Sequence, residues 1–307
     1  MTSAISATAD VVPRPPLLLV LLAFGAIYFV WGSSYLALKI AVGEFPPLAA
    51  ISVRTLSAGV IMLILARAIG IALPRGREIG RCALVGILFF GSGHGVLALV
   101  QGRVPSGIAA VIMALVPLLI PFVDWVLPGG RAPRPVTVVA LLIGFAGIVV
   151  LFAPSDAGPP VGLVDCLLLI VSAASWALGT GVARRAPQAT QGTVATAAVQ
   201  HLFGGGLIAL LALSRGDIAS FIDTPPSAAG WAAVLYLMVF GSLAGFLAFT
   251  WLLKVSTPAR VGTYGFVNPV VALCLGAAVA GEPLSLTGIL ASAMIIVAVA
   301  IVLLRDR

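Results

Sequence analysis

Phe29 to Lys39 reads FVWGSSYLALK, an apolar run that also holds a tryptophan, a glycine, two serines and a tyrosine. The hydrophobic residues on either side extend it to about the ~20 residues that cross a hydrocarbon layer. Polar groups inside such a helix need hydrogen-bond partners or a cavity, because lipid supplies neither. The stretch therefore reads as a membrane span that faces something other than lipid. The rest of the chain repeats the pattern.

Of the 307 residues, 61% are hydrophobic and only 9% are charged. Soluble domains carry about 25% charge, so a water-exposed surface cannot be built from this composition. The chain is expected to be an all-α polytopic membrane protein. Loop signals cut it into ten apolar segments, at about 17–41, 47–70, 81–101, 105–127, 134–153, 162–183, 191–213, 230–253, 258–279 and 285–304. Glycine (34) and proline (21) are abundant, as suits close helix contact and kinked spans. The run after residue 16 is too long for a cleaved signal and is taken as the first span. Cys82, Cys166 and Cys274 lack metal-ligand or CxxC spacing and read as small hydrophobes.

Charge sets the orientation. With the N-terminus inside, thirteen of the 17 basic residues fall on the cytoplasmic side: Arg14, Arg67, Arg75, Arg77, Arg81, Arg131, Arg134, Arg184, Arg185, Lys254, Arg260, Arg305 and Arg307. Lys39, Arg103 and Arg215 fall outside, and Arg54 lies within the second span. Both termini are thus expected to be cytoplasmic. The formal net charge of +7 is explained by orientation, and no nucleic-acid partner is expected.

The two halves echo each other. WGSSYLALK (Trp31–Lys39) matches WALGTGVAR (Trp176–Arg184), and VPSGIAAVIMALVPLLI (104–120) matches STPARVGTYGFVNPVVAL (256–273). Five spans per half make the second half enter from the opposite face, giving inverted repeats over residues 17–153 and 162–304.

Several groups inside the spans are candidate cargo contacts. Trp31 and Tyr35 share a face with Ser34 beside them, and Trp176 and Thr180 repeat that spacing. His94 stands in a glycine-rich span next to the pair Gly91–Gly95, which permits close approach. A deep histidine is costly unless partnered and counts as a functional candidate. His201 has less aromatic company and reads as structural. Tyr264 and Asn268 lie four apart in TYGFVNP, where Pro269 loosens the helix. Met113 and Pro117 occupy the echoing region of the first half, with Met113 an adaptable wall. Arg54 is read as pairing with Glu44 at the neighbouring turn, and Glu282 as capping span 10.

No carboxylate lies in the middle third of a span, so a proton-coupling acid is not evident. No Walker A, HExxH or GxSxG pattern is present. Neither a cofactor nor a metal is expected.

WGSSYLALK, FPPLAAISVRTLSAG (45–59) and VNPVVALCLGAAVAGEPLS (267–285) together resemble the EamA-type transporters of the drug/metabolite transporter superfamily. The resemblance covers about residues 20–304, with WALG standing where a second WGSS would be. It implies a ten-span carrier in the cytoplasmic (inner) membrane, with a central cavity lined by spans 1, 3, 4, 6, 8 and 9. Its members export amino acids, related metabolites or toxic compounds, and the aromatic amino-acid exporters look nearest. The expected cargo is a neutral or zwitterionic amino acid with an apolar or aromatic side chain. The sugar-phosphate carriers resemble the chain more distantly, and deep cations look too few for such anionic cargo. A broad effluxer of drugs or toxic cations is the alternative, and a membrane-embedded enzyme or scaffold is the reading from another class. The expected partners are a small-molecule substrate and the lipid bilayer. A ten-span fold can be complete as a monomer.

Overall fold

A computed structural model describes residues 15–151, 153, 161–185, 192–217, 224–256 and 258–305. Arg14 and Arg307 of the charge argument lie outside them. The helices in chain order are α1 (Leu17–Glu44), α2 (Pro47–Ala68), α3 (Arg77–Gln101), α4 (Ser106–Val126), α5 (Pro135–Val150), α6 (Leu163–Arg184), α7 (Thr193–Ser214), α8 (Ala228–Val255), α9 (Tyr264–Ala280) and α10 (Leu286–Arg305). Seven of them, α1–α4 and α6–α8, are long and apolar enough to cross a membrane; apolar stretches in α5, α9 and α10 are shorter. The molecule is an all-α polytopic membrane protein. Its outer face carries Leu18, Leu22, Phe29, Ile64, Leu142, Val149, Leu167 and Leu210, all exposed. In water these would be a liability, whereas in lipid they are the solvated surface.

Local chemistry sets the helix starts. Pro47 and Pro135 open α2 and α5, where a missing N–H costs nothing. Ser227 caps α8, its Oγ accepting from the N–H groups of Ala229 and Gly230 at 3.1 and 3.3 Å. Gly281 ends α9 in the left-handed region, φ 62°, and Glu282 N–H then returns to the Gly276 carbonyl at 3.0 Å.

The packing follows a rule. α2 lies along α7, α5 along α10, and α4 against α9. α1 packs on α8 and α9, while α6 packs on α3 and α4. Replacing each helix by the one five places away maps this set of neighbours onto itself.

Three helices widen into π turns, at Ala26–Val30 in α1, Ile87–His94 in α3 and Leu237–Gly245 in α8. α4 breaks between Met113 and Val116. Before α9 stands a single separate turn, Pro258–Val261. Pro117 opens the second half of α4, whereas Pro269 sits inside α9.

Ion pairs tie the helix ends together. Lys39 at the end of α1 meets Glu282 at 2.7 Å, and Asp124 at the end of α4 meets Arg184 and Arg185 at 2.9 and 2.6 Å. Arg103 holds Asp165 at the start of α6.

Two sequence expectations need correcting. Glu282 does not cap α10. Its carboxylate accepts from Ser106 N–H and Oγ at 2.9 and 2.8 Å, capping α4 instead. The tight turn after α9 points it across the bundle, away from its own helix. Glu44 does not pair with Arg54 either. It accepts from Ser227 N–H and Oγ, both at 2.7 Å, and so fastens the α1–α2 turn to the start of α8. The glycines of Gly91–Gly95 face the side chains of Leu207 and Ile208; the backbone-to-backbone approach occurs earlier in α3, at Gly86.

Glu282 gives the fold a pH signature. Partial burial opposes its ionisation, but the Lys39 ammonium and the Ser106 donors outweigh burial and hold the carboxyl below its ordinary 4.5. A depressed folded-state value means the contribution to stability is complete above that ordinary value and is lost as pH falls through it and below. Thermal midpoints in detergent should therefore fall more steeply with acid for the wild type than for Glu282→Gln in that window. Parallel pH curves would remove Glu282 from the account.

Candidate functional site

A helix that widens by one residue leaves backbone carbonyls without their regular partners. In this chain, side chains from other helices take them. With its amide turned so that nitrogen rather than oxygen faces them, Asn268 of α9 donates to the Ile27 and Tyr28 carbonyls of α1 at 3.1 and 3.0 Å. Trp31 Nε1 donates to the Gly241 carbonyl of α8 at 3.3 Å. Ser172 and Ser175 of α6 donate to the Gly93 and Leu88 carbonyls of α3, each at 2.8 Å. Four polar side chains inside apolar spans, those of Trp31, Ser172, Ser175 and Asn268, are thus explained: each serves a neighbouring helix whose ladder is interrupted.

These same segments surround a hollow of about 560 Å³ of atom-free space, its mouth included. Its wall takes Trp31, Ser34 and Tyr35 from α1, His94 from α3, Met113 from α4, Trp176 from α6, and Tyr264 and Asn268 from α9. Eight of the nine residues singled out as cargo contacts are therefore brought together. The ninth, Thr180, does not reach it. Its hydroxyl bonds back to the Trp176 carbonyl at 3.0 Å, a common use of a mid-helix threonine, and it is buried in packing.

The wall is aromatic. Trp31 meets Trp176 and Tyr264 edge-on, with ring centroids 5.6 and 5.4 Å away. Phe249 of α8 lies 5.0 Å from Trp31. His94 lies parallel to Phe90 and edge-on to Trp176 at 4.9 Å. Its Nδ1 is buried without a partner among the described residues. His201 stays in the core, its Nδ1 on the Ala197 carbonyl at 2.9 Å.

Four further residues belong to the wall. Leu38 and Leu97 each follow a predicted residue by three or four positions on the same helix face, so periodicity could have found them; Val116 stands beyond the break in α4, where helical periodicity from Met113 does not carry. Arg54 is the fourth, placed there rather than at the α1–α2 turn.

The model of the EamA-like transporter family matches the chain twice, over residues 17–153 and 164–304. The chain belongs to this family. It is 34% identical over 281 residues to the inner membrane transporter YedA of Escherichia coli (strain K12), spanning 91% of this chain and 89% of YedA. It is 28% identical to the transporter YvbV of Bacillus subtilis (strain 168), and 30% identical to the protein PecM of Dickeya dadantii (strain 3937) over 80% of each. A crystal structure of a 24% identical protein shares the fold, with a TM-score of 0.67 over 94% of this chain and 99% of its own.

This EamA-like protein is accordingly a secondary small-molecule transporter and not an enzyme. It is a multi-pass protein of the inner (cytoplasmic) membrane, and the hollow is its candidate transport site.

Proposed function

We propose that this transporter exports aromatic and neutral amino acids by alternating access, through two inverted five-helix repeats at residues 17–153 and 162–304. The ten helices α1–α10 are its spans, and both termini are cytoplasmic. The observation that carries the reading is the wall of the hollow. Indole rings from both halves, Trp31 and Trp176, stand beside small polar groups, Ser34 and Asn268. Rings stack on an apolar or aromatic side chain, and the polar groups meet the amino and carboxyl ends.

Two features of the fold support the repeats. The helix pairings named above are invariant under a shift of five. The clasp between Lys39 of α1 and Glu282 after α9 also has a counterpart in Arg184 of α6 and Asp124 of α4. With inverted repeats the two clasps sit on opposite faces, so opening one while the other holds gives access from one side at a time.

Reconstitution tests the cargo. Proteoliposomes loaded with labelled phenylalanine, methionine or threonine should show saturable efflux, competed by the unlabelled amino acid. Protein-free rates for all three would sink the amino-acid reading.

A further inference from the structure

The most buried cation among the described residues lacks a counter-charge among them. Arg54 is 4% exposed, yet it lines the hollow. Its Nε donates to Ser242 Oγ of α8 at 3.0 Å, a neutral partner. A Cβ built on Gly241 would lie 3.1 Å from Nη2 of Arg54 and 3.4 Å from Ser34 Oγ, so the guanidinium and the Ser34 hydroxyl converge on one spot.

No acid among the described residues is placed to neutralise it. Glu282 is taken by Lys39, Asp165 by Arg103, Asp217 by Arg215, and Asp124 by Arg184 and Arg185. Glu44 holds Ser227, and Glu78 faces the backbone of Arg75. A guanidinium stays protonated in proteins, and a buried charge without a partner is unfavourable by a wide margin. What the described residues do not provide, the cargo can supply. The planar fork of an arginine fits a carboxylate with two parallel hydrogen bonds.

We propose that Arg54 binds the cargo's carboxylate, which makes a carboxylate-bearing solute the substrate class of this transporter. Ser34, whose hydroxyl hydrogen goes to the Val30 carbonyl, leaves an acceptor oxygen beside it for the cargo's amino group, and the Trp31 and Trp176 rings receive the apolar remainder. The inference rests on reading the hollow as the transport site. It replaces the sequence-based reading of Arg54 as the ion-pair partner of Glu44, and it turns the site against cationic solutes that carry no acid group.

The test is a matched series on purified full-length protein, read by thermal shift in detergent and by competition of flux in proteoliposomes. The probes are phenylalanine, its amide, phenethylamine, which lacks the carboxylate, and 3-phenylpropionate, which lacks the amine. Wild-type protein should prefer phenylalanine over its amide and phenethylamine by about tenfold or more, as for a lost charge-assisted pair. In Arg54→Gln the acid-to-amide ratio should fall toward one, with Arg54→Lys intermediate. The wild-type series needs no variant, so misfolding of Arg54→Gln leaves it decisive. Equal binding of acid and amide by the wild type, no carboxylate-dependent response to any probe, or an unchanged ratio in Arg54→Gln would each overturn the proposal. If 3-phenylpropionate is carried and amino acids are not, Arg54 keeps its role and the amino-acid reading falls. If phenylalanine is exported with the acid-to-amide ratio indifferent to Arg54, the reverse holds.

Discussion

Gly86→Val should leave no folded protein to purify, and even Gly86→Ala should lower the thermal midpoint sharply. The reason lies where α3 crosses α7. A Cβ on Gly86 would stand 2.1 Å from the Gln200 carbonyl oxygen, and one on Gly204 would stand 2.3 Å from the Gly86 carbonyl oxygen. Both obstacles are backbone, so no rotamer change relieves them, and the two helices must part. Overpacking costs about 1–3 kcal/mol and occasionally more; a clash with main chain belongs at the upper end, about 3 kcal/mol or beyond. Separating α3 from α7 also strips dispersion contacts along the crossing, which lipid tails do not restore in the same geometry. Gly80→Ala is the control on the same helix, because nothing lies within 4 Å of its added Cβ. That change should be neutral or slightly stabilising, since alanine is the better helix former by roughly 1 kcal/mol. The measurement is the melting midpoint of each purified variant, with monodispersity in detergent as the folding check. A Gly86→Ala protein as stable as Gly80→Ala would mean that the two helices do not touch as described.

Trp31→Ala should nearly abolish transport and also destabilise the protein. Trp31 stands at the centre of the ring cluster, touching Trp176 of α6, Phe249 of α8 and Tyr264 of α9. Removing a fully buried tryptophan side chain costs about 3–5 kcal/mol; Trp31 is only partly buried, so its loss belongs at or below the lower end, but it also leaves the Gly241 carbonyl without its donor. Trp31→Phe separates the two losses. It keeps a ring in the wall but removes the indole N–H. Its stability should lie closer to wild type, while flux should drop by about tenfold if the bond to the π turn of α8 holds the wall in its working shape. Flux per folded molecule at wild-type level in both variants would show that the ring cluster is packing and nothing more.

How much of this was legible in the sequence depends on what each residue answers to. Trp31, Ser34, Tyr35, His94, Trp176, Tyr264 and Asn268 stood out because polar or amphipathic side chains in apolar spans need partners, and the hollow and the widened turns supply them. Thr180 misled because the spacing it shares with Trp176 fixes a helix face and says nothing of where a hydroxyl bonds. For Glu282 and Arg54, proximity in the chain was the only guide to a partner. The tight turn at Gly281 sends Glu282 to Ser106 and Lys39, and the length of Arg54 lets it reach Ser242 and the hollow rather than Glu44. The segments α5 and α9 came out shorter than expected, 16 and 17 residues, because hydropathy does not register where a backbone turns. The π turns left no local mark beyond glycine and serine, since what stabilises them are donors on distant helices.

Those widened turns have a consequence for how such chains diverge. A π turn is what one inserted residue leaves behind in an α-helix. Deleting a single residue within Leu237–Gly245 would close the ladder again and leave Phe246 and Phe249 facing the ring cluster they now join, whereas the same deletion in the regular helix after it would rotate all that follows by roughly 100°. A one-residue gap at such a turn is therefore absorbed without turning the wall, and an alignment that forbids gaps inside spans would superimpose residues that face different ways.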